Sequence, residues 1–176
     1  EIDGVLAGEL REQESSRHPA SQRLRVIEGD FLEVDLEEIL VGEVLPVRVV
    51  GNLPYNVSSP ILFKLLSGHD GGRRLRDATL MLHREVADRL VAKPGTGDYG
   101  ALAIQVALHA DVRRVLTLPP GAFRPPPKVS SAVVQLRFHA PAEDVGDGAI
   151  FERVVRVIFL QRRKTLANAL KPVADS

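Results

Sequence analysis

Pro46-Val47-Arg48-Val49-Val50-Gly51-Asn52-Leu53-Pro54-Tyr55-Asn56-Val57-Ser58-Ser59-Pro60-Ile61-Leu62-Phe63-Lys64-Leu65-Leu66 reads as a strand, a turn and the start of a helix in one run. The valine-rich segment 46–50 suits a buried strand, and the Gly51-Asn52-Leu53-Pro54-Tyr55 stretch ends it. Ser58-Ser59-Pro60 predicts a helix start, with a hydroxyl cap and proline in the first turn ahead of Ile61. Working outward, Val5, Leu6 and Leu10 space a helix to about residue 14, and polar residues 15–22, with Pro19, form a loop. Residues 24–27 then read as a short buried strand ending on Gly29-Asp30. Downstream the pattern predicts a strand at 78–82, a helix at 84–91, a helix at 99–110 and strands at 112–118 and 129–138. Strand-helix alternation argues for an α/β domain with a mostly parallel sheet, helices on its faces and ligands at the strands' carboxyl ends. Asp30 and Asn52 both fall at such ends. The connection 119–128 holds five prolines and is short, so it joins two antiparallel strands rather than making a crossover. Residues 139–148 read as a linker, and 151–171 as one or two helices of a new unit.

Composition narrows the function. With no cysteine in 176 residues, disulfides, thiolate nucleophiles and cysteine-based zinc sites are excluded. The five histidines are scattered without metal-ligand spacing, so they read as structural or solvated and no metal site is expected. No apolar run approaches the ~20 residues of a membrane span, and the first residues do not resemble a signal peptide; a cytoplasmic protein is expected. The zero net charge hides a gradient. Residues 1–50 carry 12 acidic and 5 basic side chains (−7), residues 51–150 carry 9 and 12 (+3), and residues 151–176 carry 2 and 6 (+4). The second half can therefore present a basic face to a polyanion.

Asn52-Leu53-Pro54-Tyr55 carries the chemistry. As a bare tetrapeptide it could be only a turn. Its order, however, suits methylation of an exocyclic adenine amine, whose lone pair is delocalised into the ring. An amide oxygen on Asn52 and a neighbouring backbone carbonyl can accept from that amine and let the lone pair localise toward a methyl donor. Pro54 stiffens the backbone that offers the carbonyl and brings no competing N–H. Tyr55, one of two tyrosines in a chain without tryptophan, offers a flat face for an unstacked base.

Residues 51–62, Gly-Asn-Leu-Pro-Tyr-Asn-Val-Ser-Ser-Pro-Ile-Leu, resemble the signature of the ribosomal RNA adenine N6,N6-dimethyltransferases, the KsgA-type small-subunit enzymes. The resemblance runs in order along the chain, through Glu1-Ile-Asp3, Glu28-Gly-Asp-Phe-Leu32, Met81-Leu-His-Arg-Glu-Val-Ala-Asp-Arg-Leu90 and Pro94 to Leu102. It continues in Gly121-Ala-Phe-Arg-Pro-Pro-Pro-Lys-Val-Ser-Ser-Ala-Val133 and Phe159-Leu-Gln-Arg-Arg-Lys-Thr-Leu-Ala-Asn-Ala-Leu170. It implies a class I (Rossmann-like) S-adenosylmethionine-dependent methyltransferase fold with a small C-terminal α-helical domain. Residues 1–138 would be the catalytic domain, 139–148 the linker and 149–176 the start of the RNA-binding helical domain. Glu1 would hold the donor's ribose, Asp30 its adenine edge, and Asn52 would lie at the donor and the target alike. Phe123 would be the second stacking face beside Asn52, Leu53, Pro54 and Tyr55. Arg124 and Lys128 would grip phosphate beside the flipped base, and Arg162, Arg163 and Lys164, placed in an amphipathic helical region, would contact RNA. The sulfonium is already an activated leaving group, so no metal is needed, and twofold transfer follows from the resemblance alone. A monomer acting on small-subunit ribosomal RNA or a pre-ribosomal particle is expected.

Two departures stand out. His83 occupies a position where the family has glutamine. The family's glycine-rich cofactor loop would precede Glu1, so these 176 residues alone are expected to be a piece of a longer protein that binds S-adenosylmethionine poorly. Two rival readings keep the scaffold: a non-catalytic nucleic-acid-binding or transcription-factor member, and a large-subunit ribosomal RNA resistance methyltransferase. The latter usually lacks the Gln161-Arg162-Arg163-Lys164-Thr165-Leu166 stretch. Glycines 95–100 lack phosphate-loop spacing and read as a surface loop, while Glu85 and Arg89 read as a helical i,i+4 pair.

Overall fold

The computed structural model describes residues 3–16, 25–141 and 143–174, which divide into two compact units, Glu1–Glu43 and Val44–Ser176. In the first unit, α1 (Gly4–Ser16) forms where the apolar spacing predicts a helix. Asp3 caps it, its Oδ1 accepting from the N–H groups of Val5 and Leu6 at 2.9 and 3.2 Å, which satisfies donors a helix start leaves orphaned. Asp35 caps the short α2 (Leu36–Leu40) in the same way. The predicted strand at 24–27 is not one. Leu24 lies outside the described residues, and 25–28 adopt no regular structure. A strand exists through its ladder, and no described residue of this unit offers one. Instead the Arg25 guanidinium donates to the carbonyls of Glu38, Ile39 and Val41.

The second unit is built on a four-stranded sheet of β1 (Val47–Asn52), β2 (Leu75–His83), β3 (Ala110–Leu118) and β4 (Ser131–Phe138), in the order β1-β2-β4-β3. Helices α3 (Ser58–Gly68), α4 (Arg84–Leu90) and α5 (Ala101–Ala107) alternate with the strands, and α6 (Gly148–Leu160) and α7 (Leu166–Ala174) follow. The α/β class stands, but the sheet is not mostly parallel among the described residues. Only β1 and β2 are parallel; β2 with β4, and β3 with β4, run antiparallel. The reason is the connections. The helical crossover between β1 and β2 reverses the chain twice, whereas the proline-rich segment after β3 is too short for a crossover and turns it once.

Register decides which face is core. Across the β2–β4 pair, Ala78, Leu80 and Leu82 stand opposite Leu136, Val134 and Ala132, and all six are buried. With Leu62, Leu65 and Leu66 of α3, Ala87 and Leu90 of α4 and Ala103 and Val106 of α5, they make up most of the apolar core. The other face, carrying Thr79, Met81, Val133 and Gln135, is only half covered. The helix at Ser58 begins differently from the sequence expectation. Its N-cap is Val57, without a side-chain cap, because the Ser58 hydroxyl instead donates back to the Tyr55 carbonyl at 3.1 Å. Gly72, at φ +83°, closes the turn before β2, and a Cβ there would lie 2.9 Å from the Phe138 carbonyl oxygen, so only glycine fits.

Residues 151–171 resolve into two helices. Val155 and Ala169 are buried, Phe159 meets Tyr99 edge to face at 5.9 Å, and Asp147 caps α6 through Ala149 and Ile150. On α4 the i,i+4 ion pair is Arg84–Asp88 at 3.5 Å, not Glu85–Arg89, and Arg114 of β3 also reaches Asp88. No helix among the described residues is long and apolar enough to cross a membrane.

Candidate active site

The site assembles where β1 ends. Asn52 pairs in register with Met81 of β2, and its exposed side chain projects on the half-covered face of the sheet. His83 pairs with Ser131, two positions further along β2 from Met81, so both share that face and that end. Ser131 also faces Leu118, where β3 gives way to the proline-rich loop. Strand ends and register thus bring Asn52, His83, Ser131 and the base of the Phe123 loop to one end of the sheet.

The turn itself is held tightly. The Leu53 N–H donates to the Met81 carbonyl at 3.1 Å, continuing the β1–β2 ladder by one bond, and the Pro54 carbonyl accepts from Val57 at 3.2 Å. The Leu53 carbonyl takes part in neither bond. The Leu53 side chain folds back over Gly51, where a Cβ would come within 3.0 Å of Leu53 Cδ2 and 3.4 Å of Leu80 Cδ2. A Cβ at position 51 would press on these two leucine methyls.

Tyr55 is 41% exposed, yet it is fixed at several points. Its hydroxyl and the Ser131 Oγ share a hydrogen bond of 2.8 Å. The ring of His83 meets it edge to face at 5.3 Å and 82°. Its carbonyl takes the Ser58 hydroxyl. Sequence reasoning named Tyr55 but missed both the Ser131 and the His83 contacts of its ring. The only signal for Ser131 was a hydroxyl opening a strand, which is ordinary enough to pass unnoticed. His83, the departure from the family pattern, has a structural task as well: its Nδ1 accepts from the Glu85 N–H at 3.2 Å and caps α4.

Phe123 is half buried at the end of a short 3₁₀ turn, Pro120–Ala122, its N–H donating to the Pro120 carbonyl at 3.2 Å. Arg124 and Lys128 lie on the same loop, Arg124 exposed. Asp30 belongs to the first unit, where its Oδ1 accepts from the Leu32 N–H at 2.8 Å and its carbonyl from Glu33 and Val34. Glu1 lies outside the described residues. Arg162, Arg163 and Lys164 occupy the turn between α6 and α7 rather than a helix, and all three are exposed. Arg162 is engaged within the protein: it donates to the Gly97 carbonyl at 2.9 Å and sits over the Phe159 ring at 5.8 Å. The glycine-containing segment 95–100 is thereby seen to be a surface loop that this arginine holds.

A separate cavity of about 840 Å³ opens at the opposite end of the sheet, beside His69, Gln105 and His109. None of the predicted site residues lines it. His69 there is buried, stacked on Phe138 at 5.2 Å and edge-on to His109 at 5.3 Å. Burial, and secondarily the nearby His139, hold the His109 pKa below the ordinary histidine value.

The chain is 45% identical over 177 residues to Ribosomal RNA small subunit methyltransferase A of Aromatoleum aromaticum, covering 99% of the chain and 62% of that protein. It is 44% identical to the protein of that name from Chlorobium luteolum, covering 97% and 58%. It thus spans about three fifths of the length of these curated relatives. The fold matches a dimethyladenosine transferase from Plasmodium falciparum with TM-score 0.77 at 29% identity, over 97% of this chain and 57% of that one. It matches the 23S rRNA methyltransferase ErmE with TM-score 0.67 at 29% identity, over 97% and 64%. The family described as Ribosomal RNA adenine dimethylase matches residues 1–175, and the chain belongs to that family.

Proposed function

We propose that the protein transfers methyl groups from S-adenosylmethionine to the N6 amines of adenosines in small-subunit (16S) ribosomal RNA, twice per base, in ribosome biogenesis. The observation that carries this reading is the Asn52-Leu53-Pro54-Tyr55 turn, pinned at the carboxyl end of a parallel strand with two oxygen acceptors and an open aromatic face. S-adenosylmethionine supplies an activated methyl group on a sulfonium. The chain's own residues do the rest. The Asn52 Oδ1 and the Leu53 carbonyl accept from the N6 amine, drawing its lone pair out of conjugation and aiming it. Tyr55 stacks on one face of the unstacked base and Phe123 on the other. A strong general base is unnecessary, because the amine becomes acidic as it is alkylated.

In this reading Asp30 and Glu1 would hold the donor. Asp30 uses one oxygen for the Leu32 N–H, and its carboxylate retains a second to accept from an adenine amine, while Glu1 would take the ribose hydroxyls. Arg124, Lys128, Arg163 and Lys164, with the outer edge of Arg162, are the phosphate contacts in this reading. Residues 149–176 begin the RNA-binding helical domain, and the protein works as a cytoplasmic monomer on a pre-ribosomal particle. The test is to incubate the full-length protein with S-adenosylmethionine and unmethylated small-subunit RNA or particles, digest the RNA and measure N6,N6-dimethyladenosine. Its appearance, at a rate strongly reduced in Asn52→Ala, supports the proposal. RNA binding without product would assign the scaffold to a non-catalytic role, and product in large-subunit RNA alone would move the substrate.

A further inference from the structure

We infer that Ser131 is a positioning residue for methyl transfer, holding the Tyr55 ring in the orientation that stacks the target base; this rests on the stacking role proposed above. Ser131 is fully buried at the first position of β4, flanked in register by His83 and Leu118. A buried hydroxyl without a partner is costly, and alanine, as at the neighbouring buried Ala132, would fill such a position without that cost. The hydroxyl is accommodated because the Tyr55 hydroxyl lies 2.8 Å from it, contributed from 76 residues away in sequence.

The consequence for the tyrosine is geometric. A ring on a turn, 41% exposed, would ordinarily exchange rotamers. Here its tip is tied to the sheet by Ser131, its side is walled by the edge-on His83 ring, and its backbone is fixed by Ser58. The ring nevertheless remains 41% exposed, which leaves it accessible to a ligand. Ser131 also lies eight residues beyond Phe123, where the Phe123 loop enters the sheet, and the adjacent Ser130 carbonyl accepts from Arg84 at 3.0 Å. A single strand start therefore anchors both the loop with the second aromatic and the hydroxyl of the first. The phenol oxygen is an anchor and takes no part in the transfer.

A double-mutant cycle in the full-length protein tests this. Tyr55→Phe and Ser131→Ala each remove one partner and leave the ring and the packing in place. Each should lower kcat/KM for methyl transfer to small-subunit RNA about two- to tenfold, the worth of one hydrogen bond expressed as a population of the stacking rotamer. The double variant should be no worse than the poorer single one, and KM for S-adenosylmethionine should stay constant. In ring-labelled protein, Ser131→Ala should move the Cζ resonance that Tyr55→Phe eliminates and leave that of Tyr99 in place. Additive losses, or a Ser131→Ala enzyme at full rate while Tyr55→Ala is crippled, would overturn the positioning role alone. Full activity in Tyr55→Ala would instead remove the stacking role and the inference with it.

Discussion

If Asn52 acts as proposed, Asn52→Ala should separate chemistry from folding. Asn52 is the last residue of β1, exposed, and its side chain makes no hydrogen bond among the described residues. Truncation leaves no buried group unpaired and opens no cavity. The backbone bond that fixes the turn, Leu53 N–H to Met81, belongs to the main chain and survives. Stability should therefore stay within ~0.5 kcal/mol of the parent. The transfer step should suffer far more. Removing one preorganised group aimed at developing charge costs about 10²–10³ in rate, or roughly 2.7–4 kcal/mol of barrier. Asn52→Asp retains an acceptor oxygen at the same place and should lose less than alanine does. The assay is single-turnover transfer of labelled methyl to small-subunit RNA at saturating donor, with urea unfolding and donor titration run in parallel. An alanine variant at full rate would refute the acceptor mechanism. A variant whose activity falls only in step with its stability would refute the claim that Asn52 is structurally idle.

Leu62 of α3 is wholly buried, so Leu62→Ala should cost about 2–5 kcal/mol in denaturant unfolding, with activity per folded molecule largely kept. Arg162→Ala should lower stability by about 1 kcal/mol, through loss of the Gly97 hydrogen bond and the Phe159 contact. Arg163→Ala and Lys164→Ala should leave stability alone and each reduce the salt dependence of RNA binding by about one ion; equal behaviour of all three would contradict the distinction. Because burial holds the His109 pKa low, the unfolded chain takes up a proton there before the folded one does. Stability should fall as pH drops below the ordinary histidine value, ~6.5, and His109→Gln should blunt that fall; an unchanged acid profile would count against it.

Much of this protein is legible in local chemistry alone. The valine run 47–50, the β-branched and leucine-rich run at 78–82, the alternation at 131–138 and the proline-rich turn between the last two strands each encode their state over a few residues. The structure places elements where those patterns predict them. Asn52-Leu53-Pro54-Tyr55 is readable as a candidate site because an amide, a proline and an aromatic ring are adjacent, and its place at a strand end follows from the same run. Three things are not local. Residues 24–27 are apolar enough for a strand, but pairing depends on a neighbour that the segment cannot specify. The cations at 162–164 look alike in sequence, yet only Arg162 finds the Gly97 carbonyl and the Phe159 ring, because packing of the α6–α7 turn against the 95–100 loop selects it. Ser131 looks like any polar residue opening a strand until β2–β4 register sets it beneath a tyrosine 76 positions away. A sequence specifies which side chains could make such a bond; the register of distant strands decides which of them do.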